Sequence, residues 1–83
     1  MNKKAKQQNK EKAEFDILEL DAEGFEIIKF SDVHWRVRKV DEDNFQLDVW
    51  PTVRKVMSLK NYKAFKYENL YQTVKEIYDK EVY

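Results

Sequence analysis

One histidine, two serines and a run of carboxylates are the residues of this chain whose types could do catalytic chemistry. His34 is the sole imidazole and there is no cysteine. Thiol nucleophiles, cysteine-held zinc and iron–sulfur clusters are therefore excluded, and a histidine-based metal cluster cannot be assembled. Ser31 and Ser58 stand in no nucleophile motif with that histidine. Asp41, Glu42 and Asp43 could supply a general acid and base, but a polar run of this kind reads as a solvated loop tip. Neither a glycine-rich phosphate loop nor an HExxH helix is present. Nucleophile, base and stabiliser do not converge in this sequence, and the expectation is a non-enzymatic protein without a cofactor.

Binding chemistry is better represented. Arg36, Arg38, Arg54, Lys55, Lys60, Lys63 and Lys66 are interleaved with Trp50, Tyr62 and Phe65. Guanidinium and ammonium groups beside aromatic rings can hold phosphate and stack bases, or can form the anchors of a protein interface. Sixteen acidic residues balance sixteen basic ones, which argues against strong nonspecific nucleic-acid binding. The charges are nonetheless segregated. Residues 1–12 hold Lys3, Lys4, Lys6, Lys10 and Lys12 against Glu11. Residues 13–26 hold Glu14, Asp16, Glu19, Asp21, Glu23 and Glu26 with no base. Residues 49–67 carry Arg54, Lys55, Lys60, Lys63 and Lys66 with no acid. Such blocks either complement one another within the fold or steer a partner.

The elements that must position these side chains can be read from periodicity. The chain has 83 residues, and its first dozen lack any large apolar residue after Met1. Residues 1–10 are expected as a flexible basic arm and 11–83 as one small domain. Aromatic residues make up 14% of the sequence, so dense ring packing must replace the missing disulfides, with dimerisation as the other usual support. Monomer and homodimer both remain open. The sequence contains no apolar run near transmembrane length and no signal-like start, so a soluble cytoplasmic protein is expected.

Helix-forming residues over 9–22, followed by Gly24 at a C′ position, predict a helix. On it Ala13, Ile17 and Leu20 fall on one face, and Phe15, Leu18 and Ala22 on another. FEIIKF (25–30) reads as a strand and Ser31-Asp32 as a turn. Residues 33–39 alternate strictly, with Val33, Trp35 and Val37 on the core side and His34, Arg36 and Arg38 on the other. Residues 45–50 alternate again, setting Gln46, Asp48 and Trp50 outward. The two alternations fix the register to one of a few choices, because paired residues must share a face. A three-residue loop (Glu42, Asp43, Asn44) with Asn44 left-handed pairs Arg36 with Trp50 and Arg38 with Asp48. A five-residue loop pairs Arg36 with Asp48 and His34 with Trp50. Either register gathers His34, Arg36, Arg38, Asp48 and Trp50 on one outer face.

Pro51 cannot donate to a ladder and ends that strand. A short irregular strand is expected within 52–59 and a loop over 61–66. From about Tyr67 to Asp79 the stripe Leu70, Tyr71, Val74, Ile77 and Tyr78 predicts an amphipathic helix. The fold class is α+β: helix, antiparallel meander of three to four strands, helix. A lid of Arg36 or Arg38 over Trp50 is the bland account of that tryptophan, and a contact aromatic is the alternative.

At VHWRV and LDVWPT the chain resembles a family of small phage-encoded proteins of uncharacterised function. Their pattern runs from a polar Lys/Arg/Asn/Gln-rich start through a short helix ending at glycine. A strand with a histidine-hydrophobic segment follows, then D-F-W/Y-P-T-T-G-K-W. The matching pieces here are NKEKAEFDILELDAEG, His34-Trp35 and Asp48-x-Trp50-Pro51-Thr52, across about residues 9–56, with a C-terminal helix in a similar place. Val53-Arg54-Lys55-Val56 replaces the T-G-K-W turn, so any backbone site built on that glycine is in doubt, while Lys55 keeps the basic character. The resemblance implies phage or prophage origin and no stated activity. Two functions follow from the residues: an accessory factor that binds a host or phage protein, or a nucleic-acid-binding protein.

Overall fold

The computed structural model describes residues 2–82, so the outer bounds of the expected arm and domain, Met1 and Tyr83, lie outside the described residues. The first element, α1, is a helix over Lys3–Ala22. It starts six residues earlier than periodicity indicated, and residues 3–10 are its first two turns rather than a separate segment. Asn2 supplies the start signal: its side chain accepts from the Ala5 N–H at 2.8 Å, an N-cap that satisfies one orphan donor. The lysines, glutamines and alanine that follow are good helix formers, but they carry no apolar stripe to read. Part of this polar stretch is docked. Asn9 donates to the Thr52 carbonyl at 2.9 Å, and Lys10 lies 3.4 Å from Asp32.

α1 stops where glycine permits it. Glu23 and Gly24 N–H groups reach back to the Leu20 and Asp21 carbonyls, and Gly24 adopts φ +92°. A β-carbon there would meet the Lys39 ammonium, which itself donates to the Glu23 carbonyl. The chain then forms a five-stranded antiparallel meander: β1 (Phe25–Ser31), β2 (His34–Lys39), β3 (Glu42–Trp50), β4 (Lys55–Ser58) and β5 (Ala64–Lys66), in that order across the sheet. The segment 61–66, expected as a loop, thus contains a fifth strand. Three residues with one weak alternation give it little signal, and its pairing with β4 creates it.

The register between β2 and β3 is the second of the two anticipated, with Trp35 opposite Val49, Arg36 opposite Asp48 and Val37 opposite Leu47. The three-residue loop with a left-handed Asn44 is not formed. β3 instead continues back to Glu42, the turn closes over Val40 and Asp41, and a bulge between Arg38 and Lys39 takes up the extra residues. The non-glycine residues with positive φ, among those described, are Arg54 and Tyr62, each in a connection flanking β4. The final helix, α2, spans Leu70–Val82, three residues beyond the expected end. Asn69 caps it, accepting from the Gln72 N–H at 2.9 Å.

Both helices pack on one face of the sheet, α1 beside β1 and α2 over β3. Ala13, Ile17 and Leu20 from α1 and Leu70, Val74 and Tyr78 from α2 meet the inward residues Phe25, Trp35, Val37, Phe45, Leu47, Val49 and Val56. Phe25, Phe45 and Tyr78 form a three-ring cluster of edge-to-face contacts with centroids 5.1–5.9 Å apart. Each such pair adds about 0.5–1.5 kcal/mol beyond area burial, a useful supplement for so small a core. Of the two apolar faces of α1, the Ala13/Ile17/Leu20 face is the buried one, and Phe15 and Leu18 are each 68% exposed.

Glu23 ties the two helices together. It accepts from the Tyr71 hydroxyl and from the Lys75 ammonium, and these hydrogen bonds, Lys75 first, hold its carboxyl below the usual range. A depressed carboxylate adds stability above its unfolded value of 4.5 and loses it as pH falls through the lower folded value. Glu23→Gln is expected to lower stability at neutral pH and to flatten the loss of stability below about pH 4.5, as read by urea titrations at several pH values. Gly24→Ala is expected to cost about 1–2 kcal/mol in the same assay, because alanine resists the positive φ.

Candidate binding surface

Strand alternation sends every second side chain to the face that no helix covers. β1 contributes Glu26, Ile28 and Phe30, β2 His34, Arg36 and Arg38, and β3 Gln46, Asp48 and Trp50. β4 and β5 add Lys55, Met57 and Lys66. At the centre sits Asp48, only 6% exposed although, among the described residues, both helices pack on the opposite face. Its neighbours shield it. Arg36 Nε donates to Asp48 Oδ1 at 2.8 Å, Arg36 Nη2 lies 3.4 Å from Oδ2, and His34 Nε2 lies 3.3 Å from the same Oδ2. The hydrogen bond to Asp48 holds the Arg36 guanidinium above its ordinary value.

Around this pair runs a row of rings and cations. His34 stacks on Trp50 with centroids 4.9 Å apart and planes 3° from parallel, and Phe30 leans on the other side of the imidazole at 5.0 Å. Lys55 Nζ lies 5.2 Å from the Trp50 ring centre, and Arg36 Cζ lies 5.1 Å from that of Phe30. The row therefore reads Lys55, Trp50, His34, Phe30, Arg36. Much of its ring surface is taken by neighbours within the row. Trp50 is half-buried, and its covers are His34 and Lys55 rather than the Arg36 or Arg38 anticipated. The register explains this, since it places Arg36 against Asp48 and carries its guanidinium toward β1.

The expected surface residues divide into two groups. Arg36, Arg38, Trp50, Lys55 and Lys66 share the open face. Arg38 is 3.5 Å from Glu26, which neutralises part of its charge, whereas Lys55 and Lys66 stand directly opposite each other across β4 and β5. Arg54, Lys60, Tyr62 and Lys63 lie elsewhere. Lys60 donates to the Glu81 carbonyl at the end of α2, and Tyr62 and Lys63 occupy the β4–β5 connection. Phe65 points to the helix side of β5, where it lines a groove with Lys63, Ile77 and Lys80.

Arg54 is half-buried in the turn before β4, and its Nε, the Tyr67 hydroxyl and Asp16 Oδ2 are all buried without a hydrogen-bond partner among the described residues. Asp16 is 2% exposed, with Lys12 at 2.8 Å from its other oxygen. Burial and then the nearby Asp16 carboxylate push the Tyr67 phenol up, and the Arg54 guanidinium pulls it down. Arg54 is thus part of an internal polar cluster, and an acidic substitution there would add a second carboxylate near Asp16.

Phe30, Ile28 and Met57 also belong to this face, although their sequence pattern does not mark them for it. In FEIIKF the adjacent Ile27 and Ile28 satisfy either orientation, so the alternation was silent until pairing with β2 fixed it. Among the described residues no three His, Cys, Asp or Glu side chains gather as a metal site, and no helix is long and apolar enough to cross a membrane. Compared with protein-family models, with curated proteins and with solved structures, the chain matches none of them.

Asp48→Ala removes the carboxylate and leaves the half-buried guanidinium unpaired. The expected loss is about 1–2 kcal/mol after discounting for the solvent that still reaches Arg36, measured by chemical denaturation. Arg54→Glu is expected to destabilise the fold, whereas Lys55→Glu and Lys66→Glu are expected to leave the melting temperature nearly unchanged.

Proposed function

We propose that this chain is a small non-enzymatic accessory protein of phage or prophage origin that acts in the host cytoplasm by binding a host or phage protein. The docking surface in this reading is the open face of the sheet. The observation that carries it is the row Lys55, Trp50, His34, Phe30, Arg36 laid over a neutralised Arg36–Asp48 pair. A patch with aromatic and arginine side chains at its centre and cations at its rim has the composition of an interface anchor. The rings are held in place by one another, so little side-chain entropy is lost on docking. Lys55 and Lys66, paired across strands with like charge, favour an acidic partner surface. The phage assignment rests on the resemblance at VHWRV and LDVWPT.

The same lysine pair favours a second reading, nucleic-acid binding, since two adjacent cations suit phosphate. Against it stands the occupation of the rings by their neighbours, which leaves less surface for a base to stack on. Affinity capture from host and phage-infected lysates with wild type, Trp50→Ala and Lys55→Glu/Lys66→Glu tests the first reading. A partner retained by wild type and lost by both variants is expected, and capture that both variants leave intact would contradict this surface. Titration with single- and double-stranded DNA and RNA at two salt concentrations tests the second: tight binding at low salt that weakens steeply with salt would replace protein binding as the conclusion.

A further inference from the structure

α1 carries a second apolar stripe that the fold leaves unused. Phe15, Leu18 and Ala22 recur at i, i+3 and i+7 on the side away from the core, all three exposed. Continued toward the N-terminus, the same 3–4 spacing passes through Glu11, Gln8 and Lys4 and describes a single seam. Beside Leu18 a groove between α1 and β1 is walled by Ile17, Ile27, Asp21 and Lys29. This surface lies on the helix layer, away from the open sheet face.

The charges left over after internal pairing indicate what could cover it. Within the molecule Lys12 pairs with Asp16, Glu14 with Lys29, Lys10 with Asp32 and Glu23 with Lys75. Among the described residues of α1, those with no ion pair are Lys3, Lys4 and Lys6 in its first turn, Glu11 at mid-helix, hydrogen-bonded by Gln7, and Glu19 and Asp21 near its end. The acidic hairpin tip, Asp41-Glu42-Asp43, adjoins that end, because Val40 N–H bonds the Gly24 carbonyl. The helix is therefore basic at one end and acidic at the other, with an apolar patch in its C-terminal half.

We infer that this stripe is a self-association surface on which a second copy of the chain packs its own α1 antiparallel. A two-fold axis that seats Phe15 of each copy on Leu18 of the other overlaps residues 11–22 of the two helices, about 18 Å of contact. Lys12 of each copy, still beside its own Asp16, then faces Glu19 of the other across one flank of the seam, and the turns bearing Lys3, Lys4 and Lys6 project over the other copy's acidic end. A parallel pair would instead set like charge against like. An overlap this short makes an interface at the small end of the range, so the dimer dissociates on dilution and leaves both open sheet faces accessible.

Sedimentation velocity of the full chain, from about 5 to about 500 µM, is expected to show a monomer becoming a dimer with rising concentration. Leu18→Glu, a change at an exposed position, is expected to keep its circular dichroism and melting temperature and to weaken association at least about tenfold. The chain has no cysteine, so mixing equal amounts of Glu11→Cys and Ala22→Cys under mild oxidation reports orientation; the mixed disulfide is expected well above the share that random pairing gives. A wild type that stays monomeric throughout, or a folded Leu18→Glu that dimerises as wild type does, would overturn the surface. A mixed disulfide at or below the random-pairing share would overturn the antiparallel arrangement.

Discussion

Asp48 occupies the middle of a sheet face that no helix covers, yet almost no solvent reaches it. A carboxylate in that position has to be paired and roofed by side chains, and the arrangement of the whole face follows from how this is done. Arg36 closes on it from the neighbouring strand, His34 approaches its second oxygen, and Trp50 stacks on His34. Each of these contacts needs the β2–β3 register that sets Arg36 opposite Asp48. The alternative register would have set Arg38 against Asp48 and Arg36 against Trp50, and the stacked row would not exist.

Two helices suffice for only one side of a five-stranded meander, and the chain uses its aromatic residues differently on the two sides. On the covered side Phe25, Phe45 and Tyr78 interlock edge to face around Trp35 and the aliphatic residues. On the open side Phe30, His34 and Trp50 line up with cations at both ends of the row. The first arrangement consumes its rings in the core. The second holds rings rigidly at a surface, and for that reason it carries the proposed function while the groups of the Asp16–Arg54–Tyr67 cluster do not.

The α+β class and the helix–meander–helix order were legible because both helices carry an apolar stripe and the β2 and β3 strands alternate cleanly. The shared outer face of His34, Arg36, Arg38, Asp48 and Trp50 followed from the same alternation. The register was not legible, because a hairpin with polar Asp41–Asn44 fits more than one turn and the choice falls to a bulge. The N-terminal turns of α1 escaped notice because lysines and glutamines form helix without an apolar period. β5 escaped because three exposed residues acquire strand geometry only by pairing with β4. In the 54–66 segment the half-buried position of Arg54 is not legible for a related reason: a left-handed turn without glycine gives no signal of where its side chain will go.

One tryptophan, Trp50, sits at an open, ring-stacked face, while the other, Trp35, is sealed in the core. Solvent relaxation of fluorotryptophan signals by a soluble gadolinium chelate measures this directly, with Trp50→Phe to assign the two resonances. The Trp50 signal is expected to broaden strongly and the Trp35 signal, from a residue with 0% exposure, to remain sharp. Equal protection of both signals in dilute monomeric protein would mean that something covers the sheet face, and would contradict the account.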